Sequence, residues 1–216
     1  MPRSALVAGG SGLVGSKLVD ELLADADYDL IHLLVRRRSG RADVKLREHV
    51  VDFNTLANFT WPRVADAYSC LGTTIKAAGS QAAFRAVDYD YPLAIAQGVL
   101  RRGAQQFLFV SAMGADSRST VFYSRVKGEL ESAIAALGFG AAIAFRPSLL
   151  AGERAEHRLG EHLALTLLRP VGWLVPAKYR PVADRAVARA MVNCAKRGLA
   201  GFHVVTSDAI QAFAPA

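Results

Sequence analysis

Four apolar residues, Ala5-Leu6-Val7-Ala8, run without a break into Gly9-Gly10-Ser11-Gly12-Leu13-Val14-Gly15, and an amphipathic pattern carried by Leu18, Val19, Leu22 and Leu23 follows at once. A buried strand, a glycine turn and a helix in that order open a βαβ unit. The turn parses as Gly10-x-Gly12-x-x-Gly15 or as Gly9-x-x-Gly12-x-x-Gly15. One glycine permits the tight turn, a second leaves no Cβ between backbone and ligand, and the third lets helix and sheet pack closely. The helix start presents N–H groups and the positive end of the helix dipole, a setting for a pyrophosphate. No Gly-Lys-Ser/Thr ending follows, which excludes a nucleoside-triphosphate P-loop. Gly9, Ser11, Gly12, Leu13 and Val14 are the expected contacts of a dinucleotide.

The rest of the chain keeps alternating. Strands are expected at Leu30–Val35, Val50–Phe53, Ala65–Leu71, Gln106–Val110, Ala141–Phe145 and Phe202–Val205. Helices are expected at Leu13–Leu23, Ala82–Leu100 (despite Pro92 near its middle), Ser119–Leu137, His157–Leu168 and Val182–Ala195. Such alternation predicts an α/β fold with a doubly wound parallel sheet, an NAD(P)-binding Rossmann fold. Ligands in these sheets bind beyond the carboxyl ends of the strands. No repeat, linker or shift of composition divides the 216 residues. One domain is expected, with a cofactor-binding core over 1–150 and a small C-terminal substrate region over 151–216.

Hydrophobic residues make up 52% and charged residues 21%, which excludes a disordered chain. The longest uncharged apolar stretch, Ser132–Phe145, is too short to span a membrane and is broken by Gly138 and Gly140. The start, Met1-Pro2-Arg3, leads into glycines, Lys17 and Asp20 rather than a signal-peptide core, so a cytoplasmic protein is expected. The net charge of +7 is spread along the chain, which argues against nucleic acid and suits a phosphorylated small ligand. Cys70 and Cys194 form no Cys-x-x-Cys pair, and His32, His49, His157, His162 and His203 show no ligand spacing, so no metal is expected.

The second strand ends in Val35-Arg36-Arg37-Arg38, where NAD enzymes place an acid for the ribose 2′-hydroxyl. Arg36 in that place fits the 2′-phosphate of NADP, so NADP(H) is expected ahead of NAD. Asp52, with Phe53 beside it, follows the third strand and is a candidate acceptor for the adenine amino group. Among the tyrosines, only Tyr123 has a lysine four residues on, Lys127. Residues i and i+4 share one helix face, and an ammonium beside a phenol favours the phenolate. Tyr123 is thus a candidate acid/base for hydride transfer to a small carbonyl or alcohol, with Lys127 also on the nicotinamide ribose. Ser111, at the end of the preceding strand, is a candidate to hold the substrate oxygen.

These residues resemble a known group. Gly9–Gly15, Tyr123-x-x-x-Lys127 and Arg146-Pro147-Ser148 look like the atypical short-chain dehydrogenases/reductases. Cys70–Thr74, Val110–Asp116, Tyr123–Glu129 and Arg146–Glu161 resemble, more narrowly, the Tat-interacting-protein oxidoreductase group and its bacterial, epimerase-like relatives. The resemblance implies NADPH binding, cofactor contacts at Leu71, Gly72, Thr73 and Thr74, and Pro147 and Ser148 near the nicotinamide. Other branches place the catalytic serine later, which leaves Ser117 and Ser119 beside Ser111. Arg154 and Arg158, after the sixth strand, are candidates for an anionic substrate group. Two other functions stay open: a regulatory module that senses NADPH and binds a protein partner with little turnover, and NAD-dependent sugar epimerisation or dehydration. The helices Ala82–Leu100 and Ser119–Leu137 offer a homodimer bundle that the chain alone does not require.

Overall fold

The computed structural model describes residues 3–151 and 176–213. In chain order the first half contains β1 (Arg3–Ala8), α1 (Leu13–Ala24), β2 (Tyr28–Val35), β3 (Leu46–Val50), a 3₁₀ helix (Phe53–Asn58), β4 (Asp66–Ser69), α2 (Ile75–Ala78), α3 (Gln81–Arg85), a π turn (Ala86–Asp90) and α4 (Tyr91–Leu100). There follow β5 (Gln106–Val110), α5 (Phe122–Ala135), β6 (Ala141–Arg146), β7 (Leu150–Ala151), a 3₁₀ turn (Ala177–Tyr179), β8 (Val182–Ala183), α6 (Asp184–Ala195), β9 (Gly201–Thr206) and α7 (Ser207–Gln211). Seven strands form one parallel sheet in the order β3-β2-β1-β4-β5-β6-β9, and β7 pairs with β8 in a separate two-stranded sheet. The chain winds outward from β1 to β3, returns to β4 and winds outward the other way. The winding reverses between β1 and β4, the doubly wound arrangement expected.

Both faces of the sheet are covered, which is why its central strands read as unbroken apolar runs. Ala5, Val7, Leu108, Ile143 and Phe145 pack with Leu18 and Leu22 of α1 and Met191 of α6. The alternate residues Leu6, Ala8, Phe107 and Phe109 pack with Ile95 and Val99 of α4 and Leu130 and Ile134 of α5. The two edges differ. Strand β3 carries Arg47, Glu48 and His49, while β9, paired on one side only, leaves Phe202 and Val204 exposed.

Two segments depart from the sequence reading. The third strand is Leu46–Val50 rather than Val50–Phe53, and Asp52 instead caps the 3₁₀ helix that begins at Phe53. Its polar residues are those of an edge strand, so its alternation is hidden. The helix expected over 82–100 does run through Pro92, but through a π turn. In a regular α-helix the Pro92 ring would meet the Asp88 carbonyl. The wider turn just before it, in which the Tyr91 N–H donates to the Ala86 carbonyl, relieves that clash. The helix expected at His157–Leu168 lies outside the described residues.

His32 on β2 and His49 on β3 share a hydrogen bond, Nδ1 to Nε2 at 2.8 Å. Burial, then His49 and Arg47, lower the His32 pKa to about 4. Unfolding releases the ring toward its ordinary 6.5, so between these values the unfolded chain binds more protons. The pair's contribution is therefore complete above pH 6.5 and is lost as the pH falls toward 4. With screening at this half-exposed site it is about 1 kcal/mol, or about 2–4 °C in Tm. Acidification from pH 7 to pH 5 should lower the Tm of His32→Gln by that much less than the wild type; equal drops in thermal melts would refute the assignment.

Candidate functional site

The site is built on the carboxyl edge of the sheet, where β1 and β4 diverge. Gly9 leaves β1 at φ +82°, and a Cβ there would stand 2.6 Å from the Cys70 carbonyl group at the end of β4. The Gly9 carbonyl accepts the Gly12 N–H at 2.9 Å and lies where a Gly15 Cβ would be, 2.1 Å away. The turn is thus wedged between β4 and α1 with no room for side chains at either glycine. It delivers an α1 whose N-cap, Gly12, makes no side-chain cap bond and whose first turn carries no acid. A helix start presents amide N–H groups and the positive end of the dipole to an external anion. Gly9, Ser11, Gly12, Leu13 and Val14 all stand on this turn and helix start, so the geometry fits a pyrophosphate.

At the end of β2, Arg36, Arg37 and Arg38 are exposed and make no ion pair among the described residues. The loop beyond them is tied to α1 by Arg41 on Asp20 at 2.7 Å. Asp52 accepts both the backbone and side-chain N–H of Asn54, at 2.9 and 3.0 Å, so one carboxylate oxygen serves its own turn. Phe53 is buried against Tyr91.

After β4, Leu71, Gly72, Thr73 and Thr74 form the loop facing the glycine turn, and the Thr74 hydroxyl caps α2 by accepting the Ala77 N–H. The Thr73 N–H donates to Asp88 Oδ2 at 2.9 Å. The other oxygen of Asp88 lies 2.8 Å from Lys127 Nζ, with side chains 1% and 4% exposed. Gly72 lies against this pair; a Cβ there would be 3.5 Å from Asp88 and 3.9 Å from Lys127. The lysine ammonium also reaches the Val110 carbonyl at 3.5 Å. Lys127 is thus brought from α5 to the ends of β4 and β5 and neutralised there by Asp88.

Asp88 is the residue that sequence reasoning missed. A signal existed: Phe84, Asp88, Pro92 and Ile95 recur at helical spacing, and all four are buried. An acid on the apolar stripe of a helix requires a partner. The π turn that Pro92 imposes carries it.

Tyr123 stands one turn before Lys127 on α5, half-buried against the Phe84 ring at 5.5 Å. Its hydroxyl has no hydrogen-bond partner among the described residues. Ser111 is differently placed: its hydroxyl donates to Glu131 at 2.5 Å, and Arg146 grips both oxygens of Glu131. Ser119 accepts the Val121 N–H just before α5, and Ser117 is exposed. Pro147 is buried, its carbonyl accepting the Met113 N–H at 3.0 Å, and Ser148 donates to the Arg180 carbonyl. Arg154 and Arg158 lie outside the described residues. Burial pushes the Cys70 thiol up to about 12, which leaves it an inert thiol under the turn. Among the described residues no cluster of three or more metal-ligating side chains occurs and no helix is long and apolar enough to cross a membrane.

Comparison with known proteins agrees with the fold. Residues 5–171 match the model of the NAD dependent epimerase/dehydratase family. The chain is 34% identical to the protein HTATIP2 of Rattus norvegicus over 88% of its own length and 80% of that protein. It is 33% identical to "Protein FMP52, mitochondrial" of Coccidioides immitis, over 81% and 76% of the two chains. The fold matches an oxidoreductase of the short chain dehydrogenase/reductase family from Burkholderia thailandensis (TM-score 0.71, 20% identity, 97% and 93% covered). It also matches a UDP-galactose 4-epimerase (TM-score 0.71, 17% identity, 94% and 76% covered). The cytoplasmic expectation is overturned: several of the similar fungal proteins are named mitochondrial. That expectation rested on the first residues of the chain alone, which do not separate the two compartments.

Proposed function

Because the chain belongs to the NAD dependent epimerase/dehydratase family, we propose that it is an NADP(H)-dependent oxidoreductase acting on a small carbonyl or alcohol compound, with Tyr123 as acid/base. The observation that carries this reading is the convergence of the uncapped α1 start, the Thr73 loop and the Lys127–Asp88 pair on one edge of the sheet. The α1 amides hold the pyrophosphate. Arg36, exposed at the end of β2, holds the 2′-phosphate, and Lys127, fixed by Asp88, orients the ribose of the nicotinamide. A nicotinamide cofactor held by these residues would supply a hydride to a carbonyl carbon. The Tyr123 hydroxyl gives its proton to the carbonyl oxygen as the C=O π bond becomes the new O–H bond, yielding alcohol and oxidised cofactor; the reverse reaction returns the proton to Tyr123. Ser111, its hydroxyl held by Glu131, steadies the end of β5.

The test is a fluorescence titration of the protein with NADPH and with NADH, repeated on Arg36→Ala. Loss of a charge-assisted contact to a phosphate predicts about 10–100-fold weaker NADPH binding, with NADH affinity changed less than about threefold. Binding of neither nucleotide by the wild type would sink the reading. An Arg36→Ala variant that keeps its NADPH preference would remove the NADP assignment. A module that only senses NADPH would bind it as tightly and show no Tyr123-dependent turnover with any carbonyl.

A further inference from the structure

Nine large apolar side chains are exposed among the described residues, and five of them stand at one place. Ile75 opens α2 after β4, Met113 follows β5, Val121 directly precedes α5, Leu149 follows β6, and Tyr179 lies in the 3₁₀ turn before β8. Strands β4, β5 and β6 are neighbours in the sheet, so their carboxyl-end loops are neighbours too. Hydrogen bonds draw these loops together. The Met113 N–H donates to the Pro147 carbonyl at 3.0 Å, joining the β5 and β6 loops. The Asp116 N–H donates to the Ser124 carbonyl at 3.1 Å, laying the β5 loop against the first turn of α5, next to Tyr123. The Val182 N–H donates to the Leu149 carbonyl at 2.8 Å, tying the segment after Tyr179 to the β6 loop.

Two ion pairs among the described residues lie on this side. Lys127 pairs with Asp88 at 2.8 Å, and Arg146 pairs with Glu131 at 2.5 Å. Both of these cations, Lys127 buried and Arg146 part-exposed, already hold a carboxylate, and Lys178, on the rim, lies over the Tyr179 ring at 4.8 Å. Tyr123, whose hydroxyl has no partner among the described residues, follows exposed Val121 by two residues at the start of α5. We infer that the substrate is a carbonyl compound with an apolar aliphatic or aromatic body, which the rim of Met113, Val121, Leu149 and Tyr179 covers while its oxygen meets Tyr123. This rests on the oxidoreductase reading above and adds the chemical class of its substrate. Burial of the body, not ion pairing, supplies the affinity.

The probe is the series of straight-chain aldehydes from butanal to decanal, reduced with NADPH by the wild type, Met113→Asp and Val121→Asp. Glyoxylate and glyceraldehyde serve as charged and polar comparisons. Each methylene taken from water should raise kcat/KM about fourfold until the rim is filled. Both variants should flatten that slope and leave NADPH affinity, read by fluorescence titration, unchanged. Both positions are exposed, so the variants should fold. A flat series, or a preference for glyoxylate or glyceraldehyde, with turnover still dependent on Tyr123, overturns this inference alone. An absence of turnover with every aldehyde, despite tight NADPH binding, overturns it together with the oxidoreductase reading.

Discussion

Gly15→Ala is expected to lower dinucleotide affinity more than 100-fold and to destabilise the fold by about 2–4 kcal/mol. The added Cβ would lie 2.1 Å from the Gly9 carbonyl oxygen, 2.7 Å from its carbon and 3.0 Å from the Gly10 Cα. All three are backbone atoms, so no rotamer change relieves the contact. Either α1 moves off the turn or the turn moves off β4, where Gly9 is already tight against Cys70. Both displacements carry the α1 amides away from a pyrophosphate. Thermal melts and an NADPH titration of the same preparation read the two effects. Wild-type affinity in this variant would mean that the turn is structure and not a cradle.

The second large effect separates two roles at the far side of the same site. Asp88→Ala strands a lysine ammonium that is 4% exposed, and breaking one partner of such a pair costs about 3–5 kcal/mol. It also removes the acceptor of the Thr73 N–H, so NADPH affinity should fall together with the Tm. Asp88→Asn can still accept from Thr73 and should keep more of that affinity than the alanine variant. Tyr123→Phe should behave otherwise. Its hydroxyl holds no partner among the described residues, so Tm and NADPH affinity should stay near wild type while turnover of an aldehyde falls about 10²–10⁴-fold. A Tyr123→Phe enzyme that turns over normally would exclude the tyrosine as acid/base, and an Asp88→Ala protein that melts like wild type would exclude the ion pair as its anchor.

The sheet, the glycine turn and the arginine end of β2 were legible in the sequence because each is written in neighbouring residues. Apolar strands buried on both faces announce themselves as continuous runs, and Gly9–Gly15 is contiguous. Strand β3 was not legible because Arg47, Glu48 and His49 sit on an edge and carry no alternation that points to it. Asp88 was missed and the surroundings of Ser111 were not foreseen for a different reason. Their partners, Lys127 and Glu131, lie in another helix, and only the fold brings them within 2.8 and 2.5 Å. Tyr123 and Lys127 were singled out together because helical spacing pairs them before any tertiary contact forms, and both do stand on α5. Arg154 and Arg158, the candidates for an anionic substrate group, lie outside the described residues.

The two margins of the sheet have unequal consequences for how copies of this chain can meet. Strand β3 ends the sheet in Arg47, Glu48 and His49, a margin that discourages a further strand. Among the described residues strand β9 pairs only with β6, and Phe202 and Val204 beside it are exposed. An object with one adhesive margin and one repellent margin has a built-in stop. Were two copies to join strand to strand through β9, that would use this margin of both at once and leave only β3 facing outward. Association by that route closes at two and cannot propagate into a fibre.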